Sequence, residues 1–219
     1  DKITEKNSKQ ILKAKRDVHF SIITMTDQFN LGKFERNMHS ADPDFTITEL
    51  AELNKRLEKD NDDSNLNNNN KLGLSIEDIK EKFIPNAVNA IKHQHPDVVN
   101  FAFRLIVLLS EFLPIQALNT FFDKIYSNVD PECEIRNQIL SVLREVLSNS
   151  VNYSEDRQKK IVKFFVKKLN KNANLEILIF NIDLLTSLTE NLGFLYTKED
   201  LEEVKKLICE YSEDNRLDV

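Results

Sequence analysis

From Val98 to Pro114 nearly every position is apolar, interrupted only by Asn100, Arg104, Ser110 and Glu111. The helix opens on Pro96-Asp97, a sound helix start, because Pro is tolerated in the first turn and Asp suits the positive end of the dipole. It closes at Pro114, which cannot continue a helix. On a wheel of 3.6 residues per turn, Asn100, Arg104, Val107 and Glu111 form one narrow stripe. A helix this apolar is covered by other helices on most of its sides.

The rest of the chain reads as helices arranged about that one. Residues 1–20 are charged, with a weak helix from about residue 7, and in the apolar stretch near Phe20–Phe34 helix competes with short strand, the balance leaning to helix. After the break at Asp42-Pro43-Asp44, Thr46 with Glu49 three residues on reads as a capping box, opening a helix through Lys59. Asp60 to Lys71 is Asp, Asn and Ser with one Leu, a composition that cannot offset its ordering entropy and reads as a disordered loop. Ser75 caps a helix to about Lys92, with a kink expected near Ile84 because Pro85 lies inside it. Helices then follow at 96–113, 115–127, from Asp130-Pro131 through Ser148, and from Ser154 to about Asn170. Two more run from Leu175 to Asn191, ending on Gly193 as a C′ residue, and from Thr197 to about Tyr211. The domain reading is therefore an N-terminal helical extension over 1–59, a loop over 60–73, a regular helical body over 74–211 and a tail over 212–219.

Composition narrows this little. Three Gly and five Pro disfavour an all-β fold with many tight turns, and a net charge of -6 gives no general pull toward nucleic acid or an anionic membrane. Cys133 and Cys209 sit in helical patterns without a metal motif, and buried thiols are expected. No apolar run reaches the roughly 18 residues that span a bilayer, and no signal peptide is visible. The expectation is a cytoplasmic or nuclear protein, with a targeting segment ahead of Asp1 left open.

From residue 75 the helices pair, and the pairs repeat. The stretch Leu105–Leu113 aligns with Ile139–Leu147, 34 residues on, and Leu108-Leu109 aligns with Leu184-Leu185, 76 residues on. The second helix of each pair opens at His95-Pro96-Asp97-Val98, at Asp130-Pro131-Glu132-Cys133-Glu134-Ile135-Arg136 and at Asn172-Ala173-Asn174-Leu175. These openings resemble the HEAT and armadillo families, whose units of about 40 residues carry a Pro at the turn and an Asp-x-x-Val-Arg-like opening. The resemblance implies an all-α, right-handed α-solenoid of three HEAT/armadillo-like repeats. It also implies a protein–protein interaction module, as a scaffold, adaptor or regulatory subunit that binds a peptide or helix in its concave groove. A nucleotide-exchange factor of the armadillo type for a heat-shock chaperone ATPase is the implied alternative.

No enzyme motif stands out. There is no Gly-rich phosphate loop, no Gly-x-Ser-x-Gly, no His-Glu-x-x-His and no Cys-x-x-Cys. His93 and His95 sit beside Pro96 at a helix end, where interaction with the last carbonyls is the expected role. The expectation is a non-enzyme without cofactor or metal.

Two charged surfaces remain. Arg157, Lys160, Lys163, Lys167 and Lys171 share one helix face, and the reading is a solvated outer face or, as the alternative, a nucleic-acid or acidic-partner contact. The stripe of the central helix, carried through the repeat, gives rows across the second helices. Asn100, Glu134 and Glu176 form one row, followed by Arg104, Gln138 and Phe180. Val107, Ser141 and Asp183 form the third, and Glu111, Glu145 and Ser187 the fourth. Its acidic excess suits a basic segment, with Phe180 as an exposed anchor.

Overall fold

The computed structural model describes residues 29–59, 72–129, 134–169 and 174–214. Among the described residues every regular element is a helix and no strand occurs. In order these are α1 (Leu31–Met38), α2 (Pro43–Lys59), α3 (Ile76–Asp78), a π-helical turn (Ile79–Phe83) and α4 (Ile84–Asn89). Then come α5 (Pro96–Phe112), α6 (Leu118–Tyr126), α7 (Arg136–Ser150), α8 (Glu155–Lys168), α9 (Leu175–Leu192) and α10 (Lys198–Ser212).

The apolar helix of the sequence is α5, and its neighbours explain its composition. It lies between α2 and α7, and α7 in turn packs on α9, so α2, α5, α7 and α9 form one row. A second row runs α4, α6, α8 and α10. The rows meet where α4 touches α5 and α8 touches α9. Leu105, Ile106 and Leu109 of α5, and Ile139, Leu143 and Leu147 of α7, are buried in this arrangement. Two phenylalanine pairs add to it. Phe34 and Phe83 lie 5.1 Å apart under α1, and Phe122 and Phe165, also 5.1 Å apart, bind α6 to α8.

Local chemistry sets the helix starts. The Ser75 hydroxyl accepts from the Asp78 amide at 3.0 Å, and the Asn174 side chain accepts from the Ile177 amide at 3.0 Å. Thr197 and Asp200 form a reciprocal capping box. Gly73 is at φ 66°, a left-handed conformation that glycine tolerates without strain, and it turns the chain so that Leu72 is buried. Pro85 breaks no helix. Instead the ladder widens ahead of it, where the Ile84 amide reaches back to the Ile79 carbonyl in the π-helical turn.

Several expectations need correction. Helix α2 begins a turn before Thr46, because Pro43 opens it and the Asp42 carboxylate accepts from the Asp44 amide at 3.0 Å. Thr46 is buried and donates to the Asn37 carbonyl at 2.7 Å, while Glu49 accepts from the Asn37 side chain at 2.6 Å. Both residues tie α2 to α1 and do not form a capping box. Helix α7 starts at Arg136 and runs to Ser150, while residues 130–133 lie outside the described set. Gly193 stays right-handed at φ -59°, and α9 passes into a 3₁₀ turn there. Cys209 is exposed; Cys133 lies outside the described residues, as do 1–28 and the loop at 60–71. His95 caps the start of α5, its side chain accepting from the Asp97 amide, so it serves the following helix and not the preceding carbonyls.

The four tyrosines are Tyr126, Tyr153, Tyr196 and Tyr211, and burial raises the pKa of each, that of Tyr211 to about 12. A group whose folded pKa lies above its unfolded value stabilises fully below the unfolded pKa, and that stabilisation is lost as pH rises through the folded one. Stability should therefore fall from about pH 10 upward, since free tyrosine titrates near 10. Tyrosinate absorbance and helical circular dichroism should change together. Tyrosinate appearing near pH 10 with the helices intact would contradict the packing.

Candidate functional site

The outward face of the row α5–α7–α9 carries most of the stripe. Asn100 and Arg104 are exposed on α5, with Val107 and Glu111 half-buried beside them. Glu134, just ahead of α7, and Gln138, Ser141 and Glu145 on it are exposed. On α9, Glu176 is exposed and Asp183 half-buried. Phe180 does not belong here. It is 2% exposed and packs edge-on to Tyr126, with ring centroids 5.9 Å apart. Ser187 is buried too. On α9 the outward positions are Glu176, Ile179, Asp183, Thr186 and Glu190, so the 76-residue spacing places Glu176 and Asp183 correctly, while in the other two rows the residue one earlier, Ile179 or Thr186, is the outward one.

The cations of this face are already engaged. Arg104 meets Glu58 of α2, Nη2 to Oε1 2.6 Å, and Arg144 meets Asp183 at 3.5 Å across α7 and α9. Glu134, Glu145 and Glu176 have no ion pair among the described residues. Glu111 is close enough to Arg157 and Tyr153 that its charge raises the pKa of both. The face therefore offers uncompensated carboxylates.

Helix α8 carries the lysines, but Arg157 is not among them. It is 6% exposed, and its guanidinium donates to the Ser110 carbonyl at 2.8 Å and to the Leu113 carbonyl, closing the C-terminal end of α5. Burial lowers the guanidinium pKa, while Tyr153 and Glu111 act against that. The Tyr153 hydroxyl lies 2.9 Å from Ser110 Oγ, and Gln158 donates to the Ser150 carbonyl at 2.9 Å, closing α7 in the same way. The signal was in the spacing. Arg157 and Gln158 stand four residues before Ile161 and Val162, so they share that helix's buried face.

Lys160, Lys163, Lys167 and Lys168 line a cleft of about 290 Å³ between α6 and α8, with Phe164 and Asn119 beside them. Lys168 pairs with Asp123 at 2.7 Å, a contact the sequence reading missed. Lys171 lies outside the described residues.

A second concavity has no counterpart in the sequence reading. An apolar groove of about 450 Å³ lies between α9 and α10, lined by Ile182, Leu185, Thr189, Glu190, Ile208 and Tyr211. Its one legible signal is Ile208, adjacent to the inward Leu207 and so turned away from the α10 core line.

Among the described residues no helix is long and apolar enough to cross a membrane, and no His, Cys, Asp and Glu cluster is arranged to hold a metal ion. Compared with known proteins, the chain matches no protein-family model, and no curated sequence is significantly similar to it.

Proposed function

We propose that this chain is a non-catalytic protein-binding module. We read it as an α-solenoid of HEAT/armadillo-like helix pairs whose α5–α7–α9 face takes a basic helix or peptide of another protein. Two rows of successively packed helices support the architecture, because helix pairs that each contact only their neighbours are what stacked repeats build. One observation carries the choice of ligand. Glu134, Glu145 and Glu176 point outward without an ion-pair partner among the described residues, while the nearby Arg104 and Arg144 are paired. Nothing at the site singles out a chaperone ATPase as that partner.

The test is fluorescence anisotropy with a lysine-flanked amphipathic peptide. The double reversal Glu134→Lys, Glu145→Lys should weaken its binding by about tenfold, or ~1.4 kcal/mol, and added salt should weaken the parent's binding. Both residues are exposed, so helical content and melting temperature should not change. Equal affinity for the parent and the reversed variant would remove this reading.

The lysine cleft supports a second reading, an acidic segment bound between α6 and α8, because Lys160, Lys163 and Lys167 have no ion pair among the described residues. Single-stranded nucleic acid is the weaker candidate there, since Phe164 is buried and offers no stacking platform. The triple reversal Lys160→Glu, Lys163→Glu, Lys167→Glu should leave binding of the lysine-flanked peptide intact or stronger.

A further inference from the structure

We propose that the groove between α9 and α10 is a slot for one amphipathic helix of a partner protein, apolar on one face and basic at its flanks. The proposal rests on the acidic-face reading above and says where the apolar half of that ligand sits.

Ile182 and Leu185 of α9 stand where Leu140 and Leu143 stand in α7, and where Ile106 and Leu109 stand in α5, by the 34- and 76-residue spacings. The four earlier residues are buried, and in both helices a further helix of the same row lies alongside. Helix α9 itself contacts both α7 and α8, the pair before it. The pair α9 and α10 forms the next such groove, and among the described residues no helix fills it. What packs there in the earlier units is a helix; here Leu185 is already covered, and Ile182 and Ile208 are the apolar side chains left partly or largely exposed.

The lining fits that occupant. Ile208 is 54% exposed and faces Ile182 across the groove, and Ile179, 48% exposed, extends the apolar line along α9. Ile179, Ile182, Thr186 and Thr189 recur at three- and four-residue spacing, the pattern that receives a helix bearing apolar residues at i, i+3/i+4 and i+7. Glu176 and Glu190 are exposed toward the two ends of the same helix, and neither has an ion pair among the described residues. They select for lysine or arginine flanking the apolar stripe. A second copy of the chain is disfavoured as the occupant, because each carries a net charge of -6.

The experiment titrates three synthetic helices against the purified chain. One has a leucine stripe with lysine flanks, one has serine in place of the leucines, and one has glutamate flanks. The lysine-flanked helix should bind, and both others should bind at least about tenfold more weakly. Ile208→Glu should cost the lysine-flanked helix a similar factor with an unchanged melting curve. Ile179→Glu, at another exposed position, serves as the second variant if the first fails to fold. If both variants bind as the parent does while Glu134→Lys, Glu145→Lys weakens binding, the groove assignment is overturned and the acidic-face reading stands. If the lysine-flanked helix does not bind the parent at all, both fall. A parent that sediments as a dimer, and a monomeric Ile208→Glu, would give the groove to a second copy and overturn the proposal.

Discussion

Leu109→Ala should lower the free energy of unfolding by about 2–5 kcal/mol, measured as a drop in the urea midpoint at constant slope. Leu109 is 0% exposed, in a helix enclosed by α2 and α7 in its own row and by α4 in the other. Truncation there loses the transfer free energy of the removed carbons. It also leaves a cavity that close-packed helices on both sides cannot collapse. Leu143→Ala should behave alike, because Leu143 holds the equivalent position in α7 and is 1% exposed. Ile182→Ala is the internal control. It repeats the same pattern at the open flank of α9, so it leaves no closed cavity and should cost less than about 1.5 kcal/mol. A Leu109→Ala protein with the parent's midpoint would refute the packing of α5 between α2 and α7.

Arg157→Met should destabilise by about 2–4 kcal/mol although it retains much of the side-chain volume, because the loss comes from hydrogen bonds. The guanidinium is the donor to the Ser110 and Leu113 carbonyls at the end of α5, and each buried acceptor left without a donor costs about 1–3 kcal/mol. A surface arginine would cost no more than about 0.5 kcal/mol on the same change. The variant has a second readout. The charge of Arg157 lowers the Tyr153 pKa, so removing it should move the Tyr153 titration further upward. A variant as stable as the parent, with Tyr153 unmoved, would return Arg157 to the solvent-exposed face.

Those two residues show what the sequence made legible. Leu109 and Leu143 follow from apolar periodicity and the 34-residue spacing, because burial on all sides leaves a continuous apolar record. Ser75 and Thr197 were legible as caps, because an N-cap works through residues three positions away. Arg157 was not, because a long side chain can lie on the border of a basic face and still turn its head inward to carbonyls 44 and 47 residues earlier. Phe180 failed for a related reason. In its row the outward residue of α9 is Ile179, and a step of one residue moves a side chain by about 100° round the helix. Thr46 and Glu49 matched a capping box by spacing, but Pro43 started the helix a turn earlier. The α9–α10 groove was out of reach, because it is set by how α10 lies against α9, which no spacing within one helix encodes. The acidic stripe on α5 and α7 needed only the wheel, because exposed polar positions obey the same period as buried ones.

In the proposed function the working surface is the acidic α5–α7–α9 face with its adjoining groove, and not the lysine cleft on α8. Parallel capture from one cell extract tests it most directly, using the parent, Glu134→Lys/Glu145→Lys and Lys160→Glu/Lys163→Glu/Lys167→Glu as equally folded baits, with bound proteins quantified by mass spectrometry. A partner should be held by the parent and by the lysine-reversed bait, and lost from the glutamate-reversed one. A partner lost only from the lysine-reversed bait would contradict it.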